Sequence, residues 1–314
     1  MKVGLIGAGN WGRNLARTLY ELEGLGAIAE IDPETRADLA GIYPDIPIYA
    51  HHRELLSASD ILAVVIATPA ATHYEVAKEA LLAGKHVFVE KPLALRTKEA
   101  EELLDLARSK GRTLMVGHLL LYQPAIPWIK QFIRSGGLGK IWSIHQERLK
   151  LGTVRTVENV LWSFGVHDLA VLLYLTDLEP EEIQAQGQAT IQKDIEDDVY
   201  LHLRFPNGLH AHLHVSWLWP ERQRRLTIIG EKGMLVFDEI NGEVTLHKKF
   251  VDPRLKEVDQ GSEVIFKAHG DPLKMELKHF LDCVAKGEKP LSDGESAVRV
   301  VRVLEKATEI LKGA

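Results

Sequence analysis

The chain has 314 residues, of which 46% are hydrophobic and 26% charged, so it is long enough to form two hydrophobic cores. Its net charge of −6 argues against sequence-independent binding to a phosphate backbone, and we expect no nucleic-acid partner. The only cysteine, Cys283, excludes an internal disulfide, and no apolar run reaches the roughly 20 residues that span a bilayer. With a first strand that begins too early for a signal peptide, this predicts a cytoplasmic protein without a membrane partner.

A glycine-rich turn follows the first predicted strand. Residues 2–6, "KVGLI", predict a buried strand, and a helical run through Leu19 follows "GAGNWG". The three glycines fit G-x-G-x-x-G, a turn that brings the phosphates of a dinucleotide onto the N-terminus of the next helix. A plain glycine turn is the alternative. The predicted cofactor contacts in this turn are Gly7, Gly9, Asn10, Trp11 and Gly12.

The second apolar run, "LGAIAEI", ends at Asp32, about 20 residues after the last glycine of the turn. An acid at this place binds the adenosine ribose hydroxyls and repels a 2′-phosphate. We therefore predict that Asp32 binds the ribose and that the cofactor is NAD rather than NADP. The alternative is that Asp32 only opens the turn "DPETR".

Strand and helix patterns then alternate. The runs "ILAVVIATP", "HVFVEKP" and "TLMVG" predict buried parallel strands separated by two helices, which is the pattern of a doubly wound Rossmann sheet. Ligands bind at the carboxyl ends of such strands. Because Pro92 restricts the preceding residue to an extended backbone, Lys91 is better held than a surface lysine, although a solvated lysine is the alternative. The predicted cofactor contacts at this edge are Thr68, Pro69, His73, Glu90, Lys91 and Pro92, and His118 is a predicted substrate contact.

After Gly117 the pattern changes to that of a mainly antiparallel sheet with flanking helices. Two alternating runs, "DVYLHLRF" and "LHAHLHVSW", are joined by a Pro-Asn-Gly turn, and three further alternating runs follow. We predict an NAD-binding Rossmann domain over residues 1–118 and an α+β domain for substrate binding and oligomerisation over residues 119–314. His210, His212 and His214 share one face of a strand but lie about 6.6 Å apart, so no metal site is predicted.

The stretch "LWSFGVHDLAV" places His167 on a predicted helix from Trp162 to Leu175. A histidine on an apolar helix is usually a core residue, so the local sequence leaves its role open.

Taken together, "GAGNWG", "ATPAATHYEVAKEALLAGKHVFVEKPLAL" and "WSFGVHD" resemble the family of glucose-fructose oxidoreductase, inositol dehydrogenase and MocA. The resemblance covers essentially the whole chain and implies a Rossmann domain followed by an open-faced antiparallel sheet domain. It also implies NAD(P), the oxidation or reduction of sugar and cyclitol hydroxyls, and a homodimer or homotetramer assembled through the sheets. Within the family, "GHLLLYQPA" and the C-terminal segment are most similar to the branch of UDP-N-acetylglucosamine 3-dehydrogenases.

By this resemblance Lys91 matches the catalytic lysine of the family and His167 its catalytic histidine. Many members carry an aspartate four residues before the histidine, where this chain has Ser163, and Asp168 lies about 100° around a regular helix. The family's Asn-x-Arg pair is also missing from "GHLLLYQP". The predicted substrate contacts are Lys91, His118, Tyr122, Gln123, Arg148, Arg155, Trp162, Ser163, His167 and Asp168, with Arg148, Lys150 and Arg155 as the cations for a diphosphate.

The oxidation of a secondary alcohol needs a hydride acceptor and a base on the hydroxyl. We predict that His167 takes the proton while Lys91 stabilises the oxygen, and the reverse assignment stays open. The most favoured reaction is oxidation at C3 of a UDP-N-acetylhexosamine. An NAD-dependent dehydrogenase of a free sugar, inositol or another polyol is the second reading, and a non-catalytic NAD-binding sensor is the third.

Overall fold

The computed structural model describes residues 1–152, 154–267 and 269–313. It forms two compact units, the first from residues 1–119 and 271–301 and the second from residues 120–270 and 302–314. The segment 271–301, which the sequence placed in the second domain, packs with the first unit, because Phe280 lies edge-on against Phe88 at 5.7 Å between ring centroids and both rings are fully buried. The order of the predicted elements along the chain does not indicate that residues 271–301 pack with the first unit. The predicted domain boundaries themselves stay a prediction.

The first unit contains a six-stranded parallel sheet. Its strand order is β3-β2-β1-β4-β5-β6, the doubly wound order that the alternating pattern predicts. The strands are β1 (Val3–Ile6), β2 (Leu25–Ala29), β3 (Ile48–Tyr49), β4 (Ala63–Ile66), β5 (His86–Glu90) and β6 (Leu114–Gly117). The helices are α1 (Asn10–Glu21), α2 (Pro33–Ile42), α3 (His52–Leu56), α4 (His73–Leu82) and α5 (Thr97–Ser109), with α8 (Pro272–Lys286) returning from the C-terminal part of the chain.

The second unit contains an eight-stranded sheet in the order β14-β13-β12-β11-β7-β10-β9-β8. Its pairs are antiparallel except for β7 and β10, which run parallel, so the predicted mainly antiparallel sheet is confirmed. The strands are β7 (Ile141–Leu149), β8 (Glu182–Gln188), β9 (Asp198–Arg204), β10 (His210–Ser216), β11 (Gln223–Gly230), β12 (Gly233–Asp238), β13 (Glu243–Val251) and β14 (Glu257–Lys267). The helices are α6 (Ala125–Arg134) and α7 (Val166–Thr176).

The last helix, α9 (Gly294–Gly313), contributes its residues to 301 to the first unit and the rest to the second. Within the described ranges, no helix combines the length and the apolar character needed to cross a bilayer.

The predicted helix around His167 does not begin as a regular α-helix. Residues Leu161–Gly165 form a π-helical turn, and α7 starts only at Val166. A Cβ on Gly165 would lie 2.7 Å from Cδ1 of Leu161, so glycine permits this close approach. Ser163 therefore lies in the π-helical turn and His167 in the first turn of α7, so the two residues do not belong to one regular α-helix.

Candidate active site

The glycine turn after β1 has the shape that a dinucleotide needs. Gly7 has φ +88°, and a Cβ there would lie 3.0 Å from the backbone of Ala67. A Cβ on Gly12 would collide with the carbonyl oxygen of Gly7, whereas a Cβ on Gly9 would meet nothing within 4 Å. Gly7 and Gly12 are thus required because the backbone packs closely at both positions. Gly9 leaves open space where backbone can approach a phosphate.

The N-terminus of α1 lies directly behind this open space. Gly9 occupies the N-cap position and, in the described part of the chain, no side chain caps the helix and no acid stands in its first turn. Unpaired N–H groups and the helix dipole favour an anion at such an end. The residues of the turn therefore fit a pyrophosphate.

The acid that follows β2 is Glu30, which the sequence analysis missed. Its Oε2 accepts a hydrogen bond from the Ala8 amide at 2.6 Å, and its Oε1 accepts one from the Asp32 amide at 2.9 Å. Asp32, the predicted ribose ligand, instead caps α2, because its Oδ2 accepts a hydrogen bond from the Thr35 amide at 2.8 Å. This bond to Thr35 lowers the pKa of Asp32. Glu30 is thus the carboxylate tied to the glycine turn, and it has the better position for a ribose.

We expect Glu30→Gln to raise the Kd of NADH by about tenfold or more, because a charged acceptor of hydroxyl hydrogen bonds is lost. Asp32→Asn is the matched control and should change that Kd by less than about threefold, since its side chain caps a helix. NADH fluorescence titration of both variants measures the difference. A large effect for Asp32→Asn alone would restore the first prediction.

Glu90 joins three elements at the carboxyl edge of the sheet. Its Oε1 accepts a hydrogen bond from the Trp11 indole N–H at 2.6 Å, and its Oε2 accepts one from the Lys91 amide at 3.3 Å. A Cβ on Gly117 would lie 2.9 Å from the same carboxyl group, so β6 must carry glycine there. Burial raises the pKa of Glu90, which the bond from Trp11 and the charge of Lys91 partly offset. The carboxyl group thus fixes the backbone beside Lys91.

His118 follows β6 and is 2% exposed. Burial, together with the charge of Lys91, lowers the pKa of His118 to about 3, so the ring is neutral near neutral pH. Neither ring nitrogen has a hydrogen-bond partner among the residues that the structure describes.

The loop after β4 carries three predicted cofactor contacts. The Thr72 hydroxyl donates to the Thr68 hydroxyl at 2.8 Å and also contacts the carbonyl oxygen of Pro69. The prediction for His73 needs a correction, because both of its ring nitrogens lie against backbone carbonyl oxygens and neither is left for a cofactor.

A second buried acid lies behind this edge. Glu276 on α8 is 1% exposed, and across the described ranges neither of its carboxyl oxygens has a hydrogen-bond partner. Burial, with a contribution from the charge of Glu90, raises the pKa of Glu276 well above its usual value. Burial therefore favours the protonated form of Glu276. No sequence pattern predicts this pair of acids, since α8 is more than 180 residues away from β5 along the chain.

We expect Glu276→Gln to stabilise the protein at about pH 8 and to change little at about pH 4. Because the folded-state pKa is raised, wild type loses stability as the pH climbs above the unfolded value, at up to about 1.4 kcal/mol per pH unit, and the glutamine variant does not. Urea unfolding at both pH values measures this. The control, Asp282→Asn on the same helix, should lose stability at pH 8, because the bond from Lys278 lowers the pKa of Asp282. An equal loss at both pH values for Glu276→Gln would contradict a raised pKa of Glu276.

In the second unit, Arg148 on β7 is the centre of a buried ion-pair network. It donates to Asp168 from Nε at 2.7 Å and from Nη2 at 3.1 Å, and Nη2 also donates to Glu239 at 2.8 Å. Arg224 donates to Glu239 at 2.7 Å, which brings the network to two cations and two anions. Burial opposes the charge of Arg148, but Asp168 and Glu239 outweigh it and raise its pKa. Burial raises the pKa of Asp168, and Arg148 offsets part of that rise.

This network changes the interpretation of two predicted substrate contacts. Arg148 is 6% exposed and Asp168 is 3% exposed, and each side chain is engaged with the other. A guanidinium held in this way is not available to a diphosphate, because breaking a buried pair leaves an uncompensated charge. The ion pair holds Arg148 and Asp168 against each other, and Asp168 directly follows His167 in the sequence.

The other predicted contacts of the second unit lie on several elements. The Trp162 indole N–H donates to the Thr308 hydroxyl at 2.8 Å, and the Ser163 hydroxyl contacts the carbonyl oxygen of Val160 at 3.4 Å. Arg155 is exposed, with Glu158 at 3.8 Å. Tyr122 is buried, Gln123 is half-buried and lines a small cavity with Arg148 and Asp168, and His167 is half-buried in the first turn of α7.

The histidines of the large sheet form a row across strands rather than along one. His212 on β10 is paired in register with His145 on β7 and His202 on β9, and the His202 and His212 Nδ1 atoms are 2.6 Å apart. His214 instead stacks on Tyr200 at 3.9 Å and is 8% exposed, so it does not share the exposure of its neighbours. In the ranges described, no three His, Cys, Asp or Glu side chains are placed to hold a metal ion.

Two family models match the chain. The model of an oxidoreductase family with an NAD-binding Rossmann fold, GFO/IDH/MocA, matches residues 1–118, and the GFO/IDH/MocA C-terminal domain matches residues 127–236. These ranges lie on the two sheets described above.

The chain is similar along its length to several proteins. It is 28% identical to the UDP-N-acetylglucosamine 3-dehydrogenase of Acidithiobacillus ferrooxidans over 96% of this chain and 94% of that protein, and a structure of that enzyme superposes with a TM-score of 0.88. A structure from Magnetospirillum magnetotacticum, described as an oxidoreductase, is 34% identical with a TM-score of 0.84, over 97% of this chain and 98% of that one. An inositol 2-dehydrogenase of Acidothermus cellulolyticus is 28% identical over 74% of this chain and 71% of that protein.

Proposed function

We propose that this chain, which belongs to the GFO/IDH/MocA family of NAD-binding oxidoreductases, oxidises a secondary hydroxyl of a sugar. The first candidate for the oxidised position is C3 of a UDP-N-acetylhexosamine. The observation that carries the proposal is the carboxyl edge of the parallel sheet. There the open glycine turn, the uncapped end of α1 and the ends of β2 and β5 supply groups for phosphates, a ribose and a reacting oxygen. Similarity to the Acidithiobacillus enzyme over nearly the whole chain supports the sugar nucleotide.

The residues fit a dinucleotide as resident cofactor. Gly9 and the first N–H groups of α1 would hold the pyrophosphate, and Glu30 would hold the adenosine ribose. When bound, the cofactor supplies the hydride acceptor. NAD is proposed over NADP, because the carboxylate of Glu30 would repel a 2′-phosphate.

Lys91 and His167 supply the acid–base chemistry in this proposal. The Lys91 ammonium stabilises negative charge as it develops on the substrate oxygen, and the His167 imidazole accepts the hydroxyl proton. The reverse assignment gives Lys91 the proton, and the pH profiles of Lys91→Met and His167→Ala separate the two.

A free sugar, inositol or another polyol is the second candidate substrate. The buried pairing of Arg148 favours it, since this cation was predicted to bind a diphosphate and is engaged with Asp168 and Glu239. Arg155 is exposed and remains as a cation for that role.

The test is NAD reduction by purified protein, followed by NADH absorbance, with UDP-N-acetylglucosamine, free hexoses and inositol as alternative substrates. Turnover with the nucleotide sugar alone supports the first candidate, and turnover with free sugars or inositol alone supports the second. If NAD binds but no member of the panel is oxidised, both substrate classes are wrong.

We also propose that copies of the chain associate through the open face of the large sheet as a homodimer or homotetramer. That face carries exposed aromatic side chains, Tyr200 at 45% and Trp219 at 40% exposed, beside the histidine row. Sedimentation equilibrium of wild type and Tyr200→Glu measures it, and an unchanged mass for the variant contradicts this surface. The single cysteine supports a location in the reducing cytoplasm.

A further inference from the structure

His73 stands at the start of α4 and is 1% exposed. Its Nδ1 lies 2.7 Å from the carbonyl oxygen of Pro92, and its Nε2 lies 2.8 Å from the carbonyl oxygen of Thr68. Both distances are within the range of strong hydrogen bonds. The ring therefore bridges two backbone carbonyl groups.

The two partners determine the state of the ring. A carbonyl oxygen only accepts hydrogen bonds, so each nitrogen must carry a proton to donate to it. A neutral imidazole has one N–H, and its other nitrogen would set a lone pair against a carbonyl oxygen in a place closed to water. Two short bonds to carbonyl oxygens are thus the pattern of an imidazolium.

The ring connects two loops at the edge of the sheet where the cofactor residues lie. Thr68 follows β4, and Pro92 follows β5, the neighbouring strand. Lys91 directly precedes Pro92, so a bond to the Pro92 carbonyl fixes the backbone that carries the Lys91 side chain. The charged residues on the joined elements are Glu75, Lys78 and Glu79 on α4 and Glu90 and Lys91 at the end of β5.

His86, at the opposite end of β5, shows the contrasting pattern. The Thr113 amide donates to its Nδ1 at 3.0 Å, and the Arg112 guanidinium lies 3.3 Å from its Nε2. Burial and the charge of Arg112 lower the pKa of His86. The ring nitrogens of His86 thus lie near N–H donors, whereas each ring nitrogen of His73 lies near a carbonyl oxygen.

We propose that His73 is held as a doubly protonated imidazolium that fastens the loop after β4 to the Lys91–Pro92 turn, and that it is a positioning residue for Lys91. The catalytic part of this inference rests on the proposed function, in which Lys91 acts on the substrate oxygen. The protonation state stands independently of it.

The first test measures the ring nitrogens of wild type at neutral pH by long-range proton–nitrogen NMR, with the His73 ring assigned through bonds from its backbone. Both His73 nitrogens are expected to resonate as protonated, whereas His86 should show one unprotonated nitrogen. An unprotonated nitrogen in His73 would overturn the proposal. This measurement needs no variant and no substrate.

The second test compares His73→Gln with His86→Gln. A glutamine places an N–H₂ at one carbonyl and an oxygen at the other, so it restores at most one bond. His73→Gln should lower kcat by about tenfold to a hundredfold, because a displacement of about 1 Å of a catalytic group costs that much, and His86→Gln should not. The Kd of NADH should change by less than about threefold in both variants.

The outcomes separate the two hypotheses. If wild type reduces NAD with a sugar and His73→Gln has the same kcat, the positioning role is wrong. If the variant loses NADH affinity while its kcat is kept, the ring contacts the cofactor and the proposal is overturned. If wild type oxidises no substrate, the proposed function fails, and the NMR experiment still decides the state of His73. Thermal unfolding of both variants shows whether a loss of activity is a loss of fold.

Discussion

Lys91→Met should lower kcat for NAD reduction by about 10³-fold, because the cation that stabilises the developing oxyanion is removed. The methionine keeps the unbranched shape of the side chain, and the Lys91 amide still donates to Glu90. The Kd of NADH should therefore change by less than about threefold. Steady-state kinetics at saturating substrate, with a fluorescence titration of NADH, measure both quantities.

Lys98→Met on the exposed surface of α5 is the control and should behave as wild type. Similar turnover in Lys91→Met and Lys98→Met would remove Lys91 from the chemistry. A parallel loss of NADH affinity and turnover would make Lys91 a cofactor ligand only.

Arg148→Met should destabilise the protein by about 3–5 kcal/mol, because Asp168 and Glu239 would stay buried with only Arg224 as a cation. Urea unfolding at neutral pH, followed by the fluorescence of the buried Trp217 directly after β10, measures the loss. The result decides between the buried ion pairing that the structure gives Arg148 and the substrate contact that the sequence predicted.

Arg155→Met is the matched control. Its ion pair with Glu158 is exposed and 3.8 Å long, so we expect a change of less than about 1 kcal/mol. If Arg148→Met were as stable as wild type but raised the KM for a nucleotide sugar, the first prediction for Arg148 would be right and the network would be of little consequence for folding.

The features that the sequence predicted well are those that local patterns encode. Buried parallel strands appear as continuous apolar runs, and the glycine turn requires glycine at Gly7 and Gly12 for steric reasons that hold wherever such a turn occurs. Local residues also define both ends of the helix Pro272–Lys286, because Asp271 caps it and Gly287 ends it in a left-handed conformation. The edge strands β8 and β14 were missed, since the exposed face of an edge strand lacks the alternation that marks a strand.

The site was predicted less completely, because several of its groups are defined by their partners. Asp32 and Glu30 are two residues apart, and only the hydrogen bonds to Thr35 and Ala8 show which acid caps a helix and which one faces the glycine turn. In the sequence, Arg148 is a residue of the type that binds phosphate. Its buried partner Glu239 lies 91 residues away, so no local pattern shows that the guanidinium is already paired.

By itself, the sequence determined the family, through its resemblance, as well as the Rossmann sheet and the mainly antiparallel sheet. The two sheets follow from periodicity and glycine sterics, which act over short stretches of chain. Only the tertiary structure decided that the segment 271–301 returns to the first unit, that burial raises the pKa of Glu276, and that the His73 ring faces two carbonyl oxygens. Burial and hydrogen-bond partners arise from residues far apart along the chain, so no local pattern records them.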